Sequence, residues 1–525
     1  MTSVEVAPKA GVREWVALAV LCLPTMLAAV DINIMFLALP SVSADLGATG
    51  AQQLWIMDIY GFLITGFLVT MGTLGDRVGR RRVLLVGAAA FLASSLLAAY
   101  STFTGMLIGA RALMGIAGAA VTPSVLALIR TMFKDPKQLG AAMGIWGTSL
   151  VAGIVLGPVV GGLLLGSFWW GSIFLIGAPI MALLLILGPF LVPESRNPAA
   201  GRLDLVSVAI SMAALLPLIY GLKEIGRTGW EVPPIASVLA GIVFLALFLR
   251  RQRQLEHPLL DLSLFSIKAL SISALLALLA PLISGGVMLM VILYMQLVKG
   301  LSPLSVGTWM LAPSIALIMA GGVASGVVRK VRPAYVLAVG ALVAAIGMGI
   351  ISQVSTTSGL GLLMAGLIAS SIGGGVIGIL SATLIMTSAP EEKAGSAGSL
   401  SASLGEFGTA LGVAPLLGLV GTVVYRLSID VPSGITGGAA DAARESIAGA
   451  AVTAAETPAP SGPALLSAAQ EAFTSGLSIV ATIAAVFFIG LAVLAITGLE
   501  QVLPQGEEPT AAEQPAPLVS ADVSD

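Results

Sequence analysis

Very little of this chain is charged, and almost none of it is cysteine or histidine. Only 10% of its 525 residues are Asp, Glu, Lys or Arg, against 57% hydrophobic. A soluble domain carries roughly 25% charged residues, so the chain reads as an integral membrane protein and its length does not count soluble domains. Cys22 is the single cysteine, which excludes an intrachain disulfide and leaves the redox compartment unread. His257 is the single histidine, which excludes His-cluster metal sites and any catalytic triad needing a histidine within the membrane. No P-loop and no H-E-x-x-H is present, which argues against ATP-driven transport and excludes zincin-type proteolysis. The GGGVIG stretch at 373–378 fits G-x-G-x-x-G, but it lies inside an apolar span with no strand before it, where glycines serve close helix packing. The net charge of −2 gives no pull toward nucleic acid. No metal and no cofactor is expected.

What is present is a series of apolar runs, each near the 20 or so residues that a membrane-crossing helix needs. They fall near 15–39, 51–74, 83–101, 103–128, 138–164, 169–192, 204–222, 232–249, 269–297, 303–328, 334–352, 357–386, 394–424 and 473–499. Fourteen spans put both termini on one side. With a cytoplasmic N-terminus, nineteen of the 25 basic residues fall in inside segments and five outside, with Arg111 alone inside a span. Lys and Arg concentrate on the cytoplasmic side, so both termini are expected there. The lead MTSVEVAPKAGVREW runs straight into a full-length span, as a first transmembrane helix does and a cleaved signal does not. Residues 427–472, rich in Ala, Ser, Gly and Pro, would lie outside between the last two spans. There AADAARESIAGAAVTAA and GPALLSAAQEAF predict a hairpin of two short helices around TPAPSGP. The acidic, aperiodic tail 504–525 predicts disorder.

Three carboxylates sit inside spans: Asp31, Asp58 and Glu406. Each costs roughly 2.5–3.5 kcal/mol at bilayer depth on insertion scales. Asp31 and Asp58 are both about eight residues from an outer helix end, or about 12 Å at 1.5 Å per residue. Burial favours the neutral form of a carboxyl and a nearby cation favours the ionised form. One group can thus hold a proton or a cationic substrate, but not both, which is antiport in its simplest form. The plainer reading of Asp31 is a salt bridge to Arg111, and Arg111 itself can be a structural partner or a proton relay. Glu406 follows S396-A-G-S-L-S-A-S-L-G405 and has no obvious basic partner in its half. Trp55, Tyr60, Trp146, Met288, Met290, Tyr294 and Trp309 are candidates to line an adaptable cavity, with lipid-facing or interfacial placement as the alternative.

Four motifs occur in order. G72-T-L-G-D-R-V-G-R-R-R82 follows the second span. Its small residues let helix ends approach, and Asp76 can pair with a nearby arginine. The spacing of Gly72, Asp76, Arg77, Gly79 and Arg80 resembles the signature loop of the major facilitator superfamily, G-x-L-x-D-R-x-G-R-[KR]. R111-A-L-M-G-I-A-G-A-A120 is similar to that family's buried-arginine motif. G153-I-V-L-G-P-V-V-G-G162 is similar to the Gly–Pro motif of its antiporter branches, which implies gating and packing roles for Gly153, Gly157, Pro158, Gly161 and Gly162. Asp31 stands seven residues before A38-L-P40, as in fourteen-span drug:proton antiporters, and LWIMDIYGF around Asp58 resembles the branch that exports quaternary ammonium compounds. G326-V-V-R-K-V-R332 looks like a decayed second copy of the signature without its Asp.

The resemblance implies an all-α membrane protein with the major facilitator fold. Its expected parts are a cytoplasmic N-terminus (1–14), a six-helix bundle (15–192), two inserted helices (204–249), a second six-helix bundle (269–499, with 427–472 external) and the tail. It implies a non-enzymatic, proton-driven exporter of cationic drugs in a bacterial inner membrane. The protein would be a monomer, without cofactor or nucleic-acid partner, and 427–472 is free to meet a lipid or accessory protein. Branch members with an extra carboxylate in span 10 handle divalent cations. Residues 303–328 have none, so mainly monovalent substrates are expected. The alternatives are a same-fold exporter of an endogenous metabolite or antibiotic, and a membrane sensor or scaffold that does not transport.

Overall fold

Apolar runs of this length fold as helices because hydrocarbon offers backbone N–H and C=O groups no partner but each other. The computed structural model describes residues 10–196, 204–228, 231–255, 262–390, 397–398, 400–401, 404–405, 408 and 417–504, and among them there is no strand. The first group is α1 (Val12–Leu46), α2 (Gly50–Val78), α3 (Arg80–Ala99), α4 (Thr104–Met132), α5 (Pro136–Ser167), α6 (Ser172–Leu175) and α7 (Gly177–Leu191). Next come α8 (Leu205–Thr228) and α9 (Val232–Gln252). The second group is α10 (Lys268–Leu293), α11 (Pro303–Val327), α12 (Pro333–Ile351), α13 (Leu360–Ser388), α14 (Leu417–Ser428), α15 (Gly438–Glu445), α16 (Ile447–Glu456) and α17 (Ser461–Leu499).

Helix starts are written locally. Thr49 and Gln52 form a reciprocal capping box at the head of α2, Asp135 accepts from the Lys137 N–H before α5, and Ser302 accepts from the Ser305 N–H before α11. Eleven helices among the described residues are long and apolar enough to cross a membrane, or twelve when α2, bent by 49° after Leu68, counts as one span. The apolar part of α8, Val206–Leu222, is a little shorter, and most of the expected thirteenth span lies outside the described residues. The expected fourteen are therefore not reached among the described residues.

The two groups pack alike. In the first, α2 and α3 both lie on α4, α1 pairs with α5, and α3 with α7. In the second, α11 and α12 both lie on α13, α10 touches α14, and α12 pairs with α17. Each group has its own apolar core, and Phe36, Leu37 and Leu39 near the end of α1 join the core of the other group. Helices α8 and α9 pair with each other, and α8 also touches α2 of one group and α14 of the other. Its grip on α2 is specific: Phe62 and Ile219 bury each other, and Met212 fills the notch left by Gly66.

The expected hairpin is corrected. The stretch AADAARESIAGAAVTAA is not one helix, because Ser446 is extended (φ −160°, ψ 155°) and its hydroxyl accepts from the Gly449 N–H, starting α16 afresh. GPALLSAAQEAF is not a separate helix either. No proline falls between Pro463 and the end of the helix and the apolar pattern continues, so it forms the first turns of the 39-residue α17. Helix α16 packs on α15 and, across the TPAPSGP turn, on the first turns of α17, at the opposite end of the bundle from the loop around Gly79.

Candidate coupling site

Arg111 on α4 is the largest fully buried side chain among the described residues, at 1% exposure. Its Nη1 donates to Asp31 Oδ2 on α1 at 2.6 Å, and its Nε donates to the Ile56 carbonyl on α2 at 3.4 Å. The Tyr60 ring lies 4.4 Å from the guanidinium carbon and the Phe174 ring 6.0 Å from it. Gly115, one turn beyond Arg111, makes this possible: a methyl there would stand 2.6 Å from the Tyr60 carbonyl, so only glycine lets α2 close on α4. Arg111 thus ties three helices at one point. Taking either partner away would leave a lone buried charge, which costs on the order of 3–5 kcal/mol. Asp58, also on α2, is 2% exposed, so a second carboxyl is buried two residues from the carbonyl that Arg111 engages. Glu406 lies outside the described residues.

A second feature is the seam between the groups, where α5 meets α11. Toward the α15–α16 end the helices touch backbone to backbone. A methyl on Gly162 would lie 2.6 Å from the Leu304 Cα, and one on Gly307 would collide with the Pro158 carbonyl. Gly161 and Gly153 face α1 instead, where added methyls would stand 2.9 Å from Ile34 and 2.5 Å from the Met26 carbonyl, and Gly157 is buried. Toward the other end the same two helices part: Gly140, Gly144 and Gly147 on α5 and Gly322 and Gly326 on α11 have open space where a side chain would go. A polar latch supports the closed end. Residues Tyr294–Val298 continue α10 as a π-turn, from which Gln296 donates to the Leu37 carbonyl of α1 at 3.2 Å. Pro40, which has no N–H to give the preceding turn, lies just beyond.

The third feature is the loop around Gly79. Gly79 has φ +123°, open to glycine alone in practice. Asp76 and Arg80 form an ion pair across it. Glu194, from just after α7, inserts its carboxylate against the loop: a methyl on Gly79 would lie 2.5 Å from Glu194 Oε1, the Arg81 N–H donates to that oxygen at 3.1 Å, and the Arg81 and Arg82 guanidiniums stand 3.7 and 3.9 Å from Oε2. The Arg80 N–H donates to the Ser195 carbonyl at 2.9 Å. Gly72 has ordinary contact distance to Pro123, 3.6 Å for an added methyl, and Arg77 is exposed.

The sequence profile described as Major Facilitator Superfamily matches residues 21–413. The chain belongs to the major facilitator superfamily. It is 39% identical over 487 residues to the multidrug efflux pump LfrA of Mycolicibacterium smegmatis, covering 93% of this chain and 96% of that one. It is 32% identical over 488 residues to the methyl viologen resistance protein SmvA of Salmonella typhimurium, covering 92% and 97%. Among solved structures, a bacterial homolog to the human lysosomal transporter Spinster, inward-facing and unoccupied, superposes with a TM-score of 0.65 at 15% identity, covering 93% of this chain and 99% of that one. At that identity the likeness is one of fold.

Within this major facilitator fold the expected cavity-lining residues separate. Tyr60 and Tyr294 are each 1% exposed: the first covers Arg111, and the second donates to the Ser355 carbonyl at 2.7 Å. Both are packed, not lining open space. Trp146 is half-buried and donates to Thr25 at 3.1 Å, Trp55 and Met288 are half-buried, and Trp309 is 43% exposed. Sequence reasoning missed Glu194, Gln296, Gly115 and Gly307. Glu194 carries a faint signal, a carboxylate just past an apolar run beside the basic loop of its own half. The others carry none that a single span reveals.

Proposed function

We propose that this transporter is a proton-coupled antiporter exporting lipophilic, mainly monovalent cationic drugs from a bacterial cell. It works in the inner membrane as a monomer, with both termini in the cytoplasm, and uses the proton gradient and no cofactor. The distribution of basic residues supports this orientation, which makes the Gly79 loop cytoplasmic and the α15–α16 end external. The α5–α11 seam is then closed outside and parted inside, the arrangement that receives cargo from the cytoplasm before the halves rock about it.

The observation that carries the reading is the buried Arg111–Asp31 pair, with a further buried carboxyl, Asp58, on α2. A transporter interior that holds an ion pair and a second buried carboxyl has what proton–cation exchange requires. A proton on Asp31 or Asp58 changes the charge that Arg111 and an incoming cation meet, so the two ligands oppose each other. Glu406 is the third acid assigned to this exchange. The names of the relatives fit: one is a multidrug efflux pump and the other confers methyl viologen resistance. Methyl viologen is a short dication, so the monovalent preference is expected to show against long, rigid dications.

The test is ethidium efflux from cells with and without the gene. Export should collapse with a protonophore and with Asp31→Asn or Asp58→Asn at normal expression. Ethidium should also release protons from the purified protein. Mutants that export normally, or export unaffected by the protonophore, would overturn the reading.

A further inference from the structure

Two rings lie against the Arg111 guanidinium, and they are supported differently. Tyr60 is carried by α2 where that helix closes on Gly115. Phe174 stands in α6, which has only four residues and cannot hold a conformation by itself, since a single turn does not repay the cost of nucleating a helix. Support from outside α6 is needed to keep the ring 6.0 Å from the guanidinium carbon.

That support comes from the residues just before α6. Trp170 is 8% exposed, and its ring meets Phe174 edge-on, with centroids 6.4 Å apart and planes at 90°. Its indole N–H, which burial would otherwise leave unpaired, donates to Asp45 Oδ2 at 2.6 Å. Gly171 wedges the same turn against the end of α3, where a methyl would collide with the Ala99 carbonyl. Asp45 is exposed and sits in the last turn of α1, where the helix dipole disfavours a carboxylate and no basic residue of that turn offsets it. The charge-assisted bond to the indole offsets that cost. Asp45 is on the same helix as Asp31, fourteen residues or about 21 Å further along. Helix α1 therefore holds Arg111 twice, directly through Asp31 and, from its far end, through Trp170 and Phe174.

We propose that Asp45 and Trp170 are positioning residues of the coupling site: acting through Phe174, they keep the Arg111 guanidinium on the Asp31 carboxylate. Without the bond to Asp45 the indole loses its fixed edge, Phe174 is free to turn away, and Asp31 spends more time unpaired. The inference rests on the efflux reading for what the Arg111–Asp31 pair does in transport, while the hold on the pair is read from packing alone.

The test reads the pair directly. A hydrophobic carbodiimide attacks a membrane carboxyl that is protonated and free of an ion pair. The rate at which it modifies Asp31 in the purified full-length protein, followed by mass spectrometry of the peptide carrying Asp31, therefore reports how well Arg111 is held. In Asp45→Ala, Trp170→Phe and Phe174→Leu that rate should rise at least threefold. Asp45→Asn keeps an oxygen that accepts from the indole, so its rate should stay within twofold of the unmodified protein. Trp169→Phe should do the same, because the Trp169 ring packs on Tyr100 instead. Asp45 is exposed, so Asp45→Ala tests the contact even where a core variant fails to fold. Initial ethidium efflux should fall at least threefold in the first three variants and return in Asp45→Asn. Asp31 modified within twofold of the normal rate in Asp45→Ala, not modified in any variant, or modified equally fast in Asp45→Asn and Asp45→Ala would overturn the proposal. Faster modification in the first three variants with undiminished ethidium efflux would leave the positioning standing and strike the efflux reading of the pair instead.

Discussion

The two halves repeat each other's packing but not each other's charge. In the first half a guanidinium is buried on α4 and paired to α1, and the Gly79 loop is clamped by Asp76 and Glu194. In the second half the matching helix α13 buries Ser381 and no charge. The matching loop at 326–332 has no carboxylate, and Arg332 donates to the Glu500 carbonyl at 3.2 Å. The scaffold was therefore set by helix pairing, which needs only small residues and apolar faces. Among the described residues the buried ion chemistry lies in the first half; Glu406, in the second, lies outside them.

The largest effect should come from the buried cation. Arg111→Leu is expected to abolish efflux and lower the stability of detergent-purified protein by about 3–5 kcal/mol, because Asp31 is left charged in the interior. Thermal unfolding should show the double change Arg111→Leu/Asp31→Leu regaining most of that stability while efflux stays lost. Ser381→Ala, at the matching helix, should move stability by less than about 1 kcal/mol. If the two halves responded alike, the contrast drawn above would fail.

Next in size is the seam. Gly162→Leu and Gly307→Leu put side chains where backbone now touches backbone, so both should cut initial efflux below a tenth of normal at unchanged expression. Gly322→Leu, on the same helix where space is open, should leave it within twofold. Strong loss at all three positions would mean the parted end is also closely packed at some stage of the cycle.

The loops should give a smaller contrast. Gly79→Ala forces a left-handed backbone on a residue with a Cβ, costing roughly 1–2 kcal/mol. It also pushes Glu194 away, so efflux should fall severalfold. Glu194→Gln should fall less, since its amide can still accept from the Arg81 N–H. Gly326→Ala and Arg332→Ala, in the matching loop, should change efflux by less than twofold. Initial rates at matched expression would rank the four.

Much of this was readable from the chain. Charge is so rare in the apolar runs that Asp31, Asp58 and Arg111 stand out at once, and a pair between Asp31 and Arg111 is the plain alternative that the structure realises. The signature loop is legible because its spacing carries geometry: Gly79 must be glycine for its φ, and Asp76 lies one helical turn from Arg80. The partner of Tyr60 was not legible, because an aromatic in an apolar span looks the same whether it faces a cavity, lipid or a cation. Glu194, Gln296 and Gly307 act across long separations, on Arg81, Leu37 and Pro158, and no local pattern reports such a pairing. The break at Ser446 was hidden in a stretch so rich in alanine that one capping serine outweighed the helix propensity around it.

The inserted helices bear on the lipid as well as on the chain. Because α8 lies against α2 on one side and α14 on the other, it walls off one of the two flanks along which the halves meet. Among the described residues the opposite flank, between α5 and α11, carries no such cover. The bilayer therefore meets the moving joint from one side only. Lipid composition should act on this machine asymmetrically, as a wind acts on a door with a single free edge, and a molecule dissolved in the membrane has one face, not two, through which to approach the interior.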